Sequence, residues 1–182
     1  MAPFNPVVDP SGAYCMVGQR GPIWFLAGNF TGAPSVTRTC SVPADKTLFF
    51  PVINGINFSA PEGVCGSTGP ETAAQLRADA KPFIDAAQGL SVTVDSQPVK
   101  KTLLRRVKSD VFDIAIPADN VFVSFGITPC LASIFSPAID DGYYVSLDPL
   151  SLGAHTINIQ AESGTLTIDV TYNLTVVPVT LK

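Results

Sequence analysis

Apolar and polar positions alternate over much of this chain, most cleanly near its C-terminus. In TLTIDVTYNLTVV, Leu166, Ile168, Val170, Tyr172 and Leu174 share one face while Thr, Asp and Asn take the other. That period of two marks a half-buried strand. SVTRTCSV before it and AHTINIQAES near it alternate in the same way, and LSVTVDSQPV reads as a strand and turn. GPIWFLAGNF is instead apolar on consecutive positions, as expected of a strand covered on both faces. TLFFPVING is a second such run, and its Pro51 argues for a bulge or an edge position because proline cannot donate to a sheet ladder. TLLRRVKSDVFDIAIP, NVFVSFGI and YYVSLDPL complete the strand set, with turn signals at ADN, DDG, LGA and ESG. Residues 54–70, rich in Gly, Ser and Pro, read as a long loop tethered by Cys65.

One segment breaks the pattern. From about 70 to 88, Ala74, Leu76, Ala80, Phe83, Ile84 and Ala87 form one apolar stripe at helical spacing, with Pro70 and Glu71 in the first turn and Gly89 as terminator. Pro82 is expected to kink or divide this helix. Residues 1–12, with three prolines, read as an extended N-terminal arm packed through Phe4, Val7 and Val8. The predicted organisation is that arm, followed by a single all-β domain over 13–182. Many short strands with regular turn signals argue for a two-sheet sandwich, jelly-roll or Ig-like, carrying the Pro-interrupted helix as an insertion.

Composition narrows the setting. Charged residues make up 14% of the chain against roughly 25% in an average domain, and hydrophobic residues 46%, which suffices for a large core and excludes global disorder. No apolar stretch approaches the roughly 20 residues of a membrane-spanning helix, so a soluble chain is expected. Net charge is −4, which argues against a general nucleic-acid partner. Cys15, Cys40, Cys65 and Cys130 form no C-x-x-C pair, and one histidine gives no zinc spacing. An even number of widely spaced cysteines suits two disulfides and an oxidising compartment. Three connectivities exist; Cys15–Cys40 with Cys65–Cys130 is favoured because the first pair flanks one hairpin. MAPFNPVVDPSG has no basic or apolar signal region. The expectation is a Met placed before a mature secreted, periplasmic or cell-surface chain.

The candidate chemistry is sparse. Trp24 beside Phe25 suits an aromatic platform for a sugar ring, although a tryptophan within an apolar strand more often packs in a core beside a disulfide. Tyr143 is a second stacking candidate. Asn57 in the 54–70 loop, with Asp119, Asn120 and Asp141 in neighbouring turns, would supply polar contacts where sandwich loops cluster. No metal or other cofactor is expected; calcium is the one ion that Asp140, Asp141 and Asp148 would suit, yet no D-x-D-x-D-G loop exists and two aspartates before Gly142 read first as a plain turn. His155, after the turn at Gly153, reads as a structural side chain bonded to that turn, since no G-x-S-x-G motif accompanies it. Sequons at Asn29, Asn57 and Asn173 are of a number that Thr- and Asn-rich strands produce by chance. The basic run KKTLLRRVK would suit an anionic glycan or lipid headgroup, or would simply be a solvated strand face protecting an edge.

Three stretches carry a resemblance: C-x-x-G-Q-x-G-P-I-W-F-L-A-G from Cys15, R-T-C-S-V-P-A-D-K-T-L-F-F-P-V-I-N from Arg38, and D-G-Y-Y-V with L-G-A-H-T-I and D-V-T-Y-N-L-T-V toward the end. Together they resemble a group of exported bacterial proteins of uncharacterised function. The resemblance implies a secreted or periplasmic setting and two disulfides, and it transfers no catalytic residue. The reading that follows is a non-enzymatic secreted or surface module for binding or structure, with carbohydrate as the candidate ligand. Its rivals are a self-assembling surface or filament subunit that donates a terminal strand, and an extracellular hydrolase or lyase acting on polysaccharide.

Overall fold

The computed structural model of the chain describes residues 4–179. Among these residues it is β-rich, with ten strands in two five-stranded sheets, two α-helices and two 3-10 turns. The strands are β1 (Ile23–Phe25), β2 (Val36–Pro43), β3 (Thr47–Phe58), β4 (Gln88–Val94), β5 (Gln97–Pro98), β6 (Arg105–Lys108), β7 (Phe112–Ile116), β8 (Ser133–Leu147), β9 (Gly153–Ser163) and β10 (Leu166–Val177). The first sheet runs β1-β3-β8-β6, with β7 also on β8; the second runs β2-β10-β9-β4-β5. Both are mixed, because β1 lies parallel to β3 and β2 parallel to β10, whereas β10, β9, β4 and β5 pair antiparallel in turn.

Two compact units make up the chain, and β3 and β8 each contribute to both. One comprises Asn54–Ala86 and Val107–Gly142. Its helix α1 (Ala73–Asp85) starts at Thr72, whose hydroxyl accepts from the Gln75 amide while the Gln75 side chain accepts from the Thr72 amide. This reciprocal cap satisfies two donors that a helix start otherwise leaves open. Leu76, Ala80 and Ile84, spaced by four, are buried; Leu76 and Ala80 pack with Ile139 of β8. The helix is shorter at both ends than the expected 70–88. It is also not divided at Pro82: that residue lies in the last turn, where its missing N–H costs a single bond, and the Ala86 amide closes the turn on the Pro82 carbonyl at 3.1 Å.

A Cys65–Cys130 disulfide crosses the same unit, inside a cluster of Ala60, Ile116 and Phe135 with Phe58 and Phe122 packed against it. Three sequence expectations change here. NVFVSFGI is not a strand: Asn120 caps a short helix α2 (Val121–Ser124), its side-chain oxygen accepting from the Val123 amide, and Gly126 at φ 75° follows the helix. DDG is not a turn but the middle of β8, because pairing along a 15-residue strand overrides local turn preference. The 54–70 loop begins only after Phe58, since β3 continues through Asn57.

The other unit comprises Phe4–Ile53, Ala87–Arg106 and residues 143–179. Ile168, Val170, Tyr172 and Leu174 are buried, as the alternation of β10 requires. Pro51 lies past the last pair that β1 makes with β3, Phe25 with Phe49, so its lost donor meets no β1 partner. Residues 4–18 pass through successive turns rather than one extended arm, and they lie against β2. The Thr39 amide donates to the Ser11 carbonyl at 2.8 Å, and a side chain on Gly12 (φ 89°) would stand 2.6 Å from the Thr39 carbonyl oxygen. Cys15–Cys40 bonds the same two segments covalently. The β1 edge is closed differently: the Gln19 carboxamide accepts from the Phe25 N–H and donates to the Phe25 C=O, both at 2.8 Å, as a neighbouring strand would.

Candidate functional site

The structure divides the six residues proposed as ligand contacts between the two units, and it commits most of them to internal work. Trp24 is 4% exposed, and its indole Nε1 has no hydrogen-bond partner among the described residues. Tyr143 is half-buried on β8. In the other unit, Asn120 is buried, donating to the Pro117 and Cys130 carbonyls at 2.8 and 2.9 Å. Asp141 is buried within β8, Asn57 lies on β3 with its amide 3.5 Å from the Leu76 carbonyl, and Asp119 is exposed. Asp140 accepts from the Asn54 amide at 2.7 Å, and Asp148 is exposed. Among the described residues, no three His, Cys, Asp or Glu side chains converge as metal ligands.

An aromatic row instead forms around Phe25, with two half-buried rings that the sequence left in the background. On β1, parity alternates about Trp24, so the inward tryptophan leaves Phe25 outward and 50% exposed. Phe25 pairs in register with Phe49 of β3, and their rings meet edge to face at 6.0 Å. Phe49 in turn stacks on Tyr144 of β8 at 5.3 Å, with 10° between the ring planes. Three adjacent strands thus place three rings in one row about 10 Å long, given the ~4.8 Å spacing between strands. Phe49 and Tyr144 fix one another, and Gln19 fixes the Phe25 backbone, so the row is set before any ligand arrives.

The same unit holds a heavily hydrogen-bonded buried side chain. Arg38 occupies the inward parity of β2 between Val36 and Cys40 and is 1% exposed. Its Nε donates to the Asp9 carbonyl at 2.7 Å; Nη1 reaches the Ala27 and Gly28 carbonyls and the Tyr172 hydroxyl at 2.7, 2.9 and 2.8 Å; Nη2 reaches the Val7 carbonyl at 3.3 Å. The Tyr172 hydroxyl donates onward to the Ala27 carbonyl at 2.8 Å, and burial raises its pKa. Asp9 is buried too. Burial opposes its ionisation, but the amides of Tyr14 and Ser11 and the Ser11 hydroxyl outweigh it and hold the carboxyl below its ordinary range. Asp9, Arg38 and Tyr172 are all buried, and their hydrogen bonds hold residues 7–28 to β2 and β10.

His155 stands in a second polar cluster with Asp95 and Ser151. Its Nδ1 is 2.7 Å from Asp95 Oδ2; its Nε2 is 2.9 Å from the Ser151 carbonyl and 3.2 Å from Ser151 Oγ. The order Ser–His–Asp is that of a hydrolytic triad, but Nε2 lies nearer the carbonyl of the same serine than its hydroxyl. An imidazolium satisfies both ends, donating Nδ1–H to the carboxylate and Nε2–H to the carbonyl, and so leaves no lone pair to take a proton from Oγ. Asp95 begins a two-residue turn between β4 and β5, at φ 51° with Ser96 at 65°, and its Oδ1 also accepts from the Thr156 amide at 2.8 Å. The cluster ties that turn to the start of β9.

This clamp makes stability depend on pH. The hydrogen bond to Asp95 raises the His155 pKa above 6.5, with burial opposing and the Ser151 carbonyl assisting. Asp95 is lowered below 3.8 by the Thr156 amide first and then by His155. The histidine contribution is complete below 6.5 and is lost as pH rises through the higher folded value; the aspartate contribution is present above 3.8 and is lost as pH falls through the lower one. Melting temperature is therefore expected to fall as pH is raised from about 6 to about 9. In His155→Gln, which keeps a donor but does not titrate, that slope should flatten; an unchanged slope would place the titration elsewhere.

No protein-family model matches the chain, and neither a curated protein nor a solved structure matches it.

Proposed function

We propose that the protein is a non-enzymatic extracytoplasmic binding module that takes carbohydrate at the Phe25–Phe49–Tyr144 row, and that its two sheets form a sandwich. The observation that carries this reading is the row itself, exposed at Phe25 and half-buried at Phe49 and Tyr144. Sugar rings present flat C–H faces, and rings held in advance on paired strands bind them without the ordering cost of free side chains. A row about 10 Å long, three strands wide, suits a short run of sugar units. Two disulfides point to an oxidising environment, and no described helix is long and apolar enough to cross a membrane. Export through the cell membrane is part of the same proposal.

The test is a glycan array of neutral and acidic oligosaccharides probed with the oxidised protein, followed by titration calorimetry on any hit. Phe25→Ala and Tyr144→Ala should each weaken binding about tenfold or more, on the scale of one lost aromatic contact at a binding hot spot. Phe25 is half exposed, so its removal should leave the melting temperature nearly unchanged. Binding that survives both substitutions would refute the row as the site.

A further inference from the structure

A second surface has the chemistry of a docking site, and it lies on the segment Lys100–Arg106. Four of the chain's 11 lysines and arginines fall in these seven positions, in a protein of net charge −4, and no acidic residue occurs between Asp95 and Asp110. Asp95 is already engaged with His155 and Thr156. The segment is ordered. The Leu103 and Leu104 amides close a 3-10 turn (Lys101–Leu103) on the Lys100 and Lys101 carbonyls at 2.9 and 3.2 Å, and Arg105 Nε donates to the Thr102 carbonyl at 3.1 Å. From this turn Lys100, Lys101 and Arg105 project into solvent, and none of the described ion pairs involves them. Amid them stands Leu103, 40% exposed.

We infer that this turn docks the protein onto an anionic lipid surface. Three cations without an ion-pair partner among the described residues, on an otherwise acidic protein, select a negative partner, and the leucine selects its type. An exposed aliphatic side chain gains by entering the boundary between headgroups and acyl chains, whereas a hydrated polyanion offers it nothing. Each cation near an anionic membrane strengthens association by about fivefold, so the three together supply on the order of a hundredfold, which salt screens. This inference rests on other residues than the carbohydrate reading, although β6, which begins at Arg105, is the strand next to β8 with its Tyr144.

The experiment is co-sedimentation of the oxidised full chain with vesicles of phosphatidylglycerol and phosphatidylcholine in equal parts, with pure phosphatidylcholine vesicles and soluble dextran sulfate as comparison arms. Expected is binding to the anionic vesicles alone, lost at high salt. The triple variant Lys100→Gln, Lys101→Gln, Arg105→Gln should weaken it on the order of a hundredfold. Leu103→Ser should weaken vesicle binding several-fold and leave any dextran sulfate binding unchanged. All four side chains are solvent-facing, so folding is retained, which the melting temperature verifies. Absence of anionic-vesicle binding at low salt, equal binding to the neutral vesicles, dextran sulfate binding without vesicle binding, or indifference to Leu103→Ser would each overturn the inference.

Discussion

Replacing Arg38 with methionine is expected to cost about 3–5 kcal/mol of stability, the scale on which removing one partner from a buried charged network acts. The reason lies in what the guanidinium leaves behind. The carbonyls of Val7, Asp9, Ala27 and Gly28 and the Tyr172 hydroxyl all take hydrogen bonds from it. Each buried acceptor stripped of its donor loses about 1–3 kcal/mol, partly recovered where the chain relaxes to admit water. Methionine fills the volume and supplies no donor. For a chain of this length the melting temperature should drop by about 6–20 °C. Arg38→Lys should recover little, because one ammonium cannot reach acceptors that the planar fork meets on several sides. Urea denaturation of the two variants beside the parent checks this; a loss under about 1 kcal/mol would show that the network contributes little net stability.

The Arg38 hub also shows where a linear reading stops. Its position was legible: within SVTRTCSV, Arg38 shares parity with Val36, Cys40 and Val42, so an inward cation follows from alternation alone. Its partners were not, because they come from residues up to 134 positions away. The same distance hid the His155 cluster, whose Asp95 lies 60 residues upstream, although bonding of His155 to the preceding turn was readable and holds at Ser151. Strand β10 was legible because one dry face imposes strict alternation. The apolar stretch 120–127 misled, since Val and Phe favour strands while one Asn120 cap and a glycine turn it into a short helix. Trp24 drew attention by its rarity, yet parity makes it the inward neighbour of the ring that is exposed. Phe25 was visible as that neighbour; Phe49 and Tyr144 joined it only once register was known.

Loss of the Cys65–Cys130 bridge is the second large effect. It joins residues 65 positions apart, so the chain-entropy relation assigns it about 4.3 kcal/mol, against about 3.5 for Cys15–Cys40 with its separation of 25. Both sulfurs also belong to the small cluster with Ala60, Ile116 and Phe135, so a Cys65→Ala, Cys130→Ala variant gives up packing as well as closure. Guanidinium denaturation should show a drop of about 4 kcal/mol or more for that double variant. The Cys15→Ala, Cys40→Ala variant should lose less in closure, because the loop it opens is shorter.

The whole account rests on an oxidised, doubly cross-linked β-rich chain, and peptide mapping without reduction tests that most directly. Protein purified from an oxidising compartment and alkylated under denaturing conditions should show no reactive thiol. Digestion should release Cys15 linked to Cys40 and Cys65 linked to Cys130. Four alkylated cysteines, or a peptide joining Cys15 or Cys40 to Cys65 or Cys130, would contradict it.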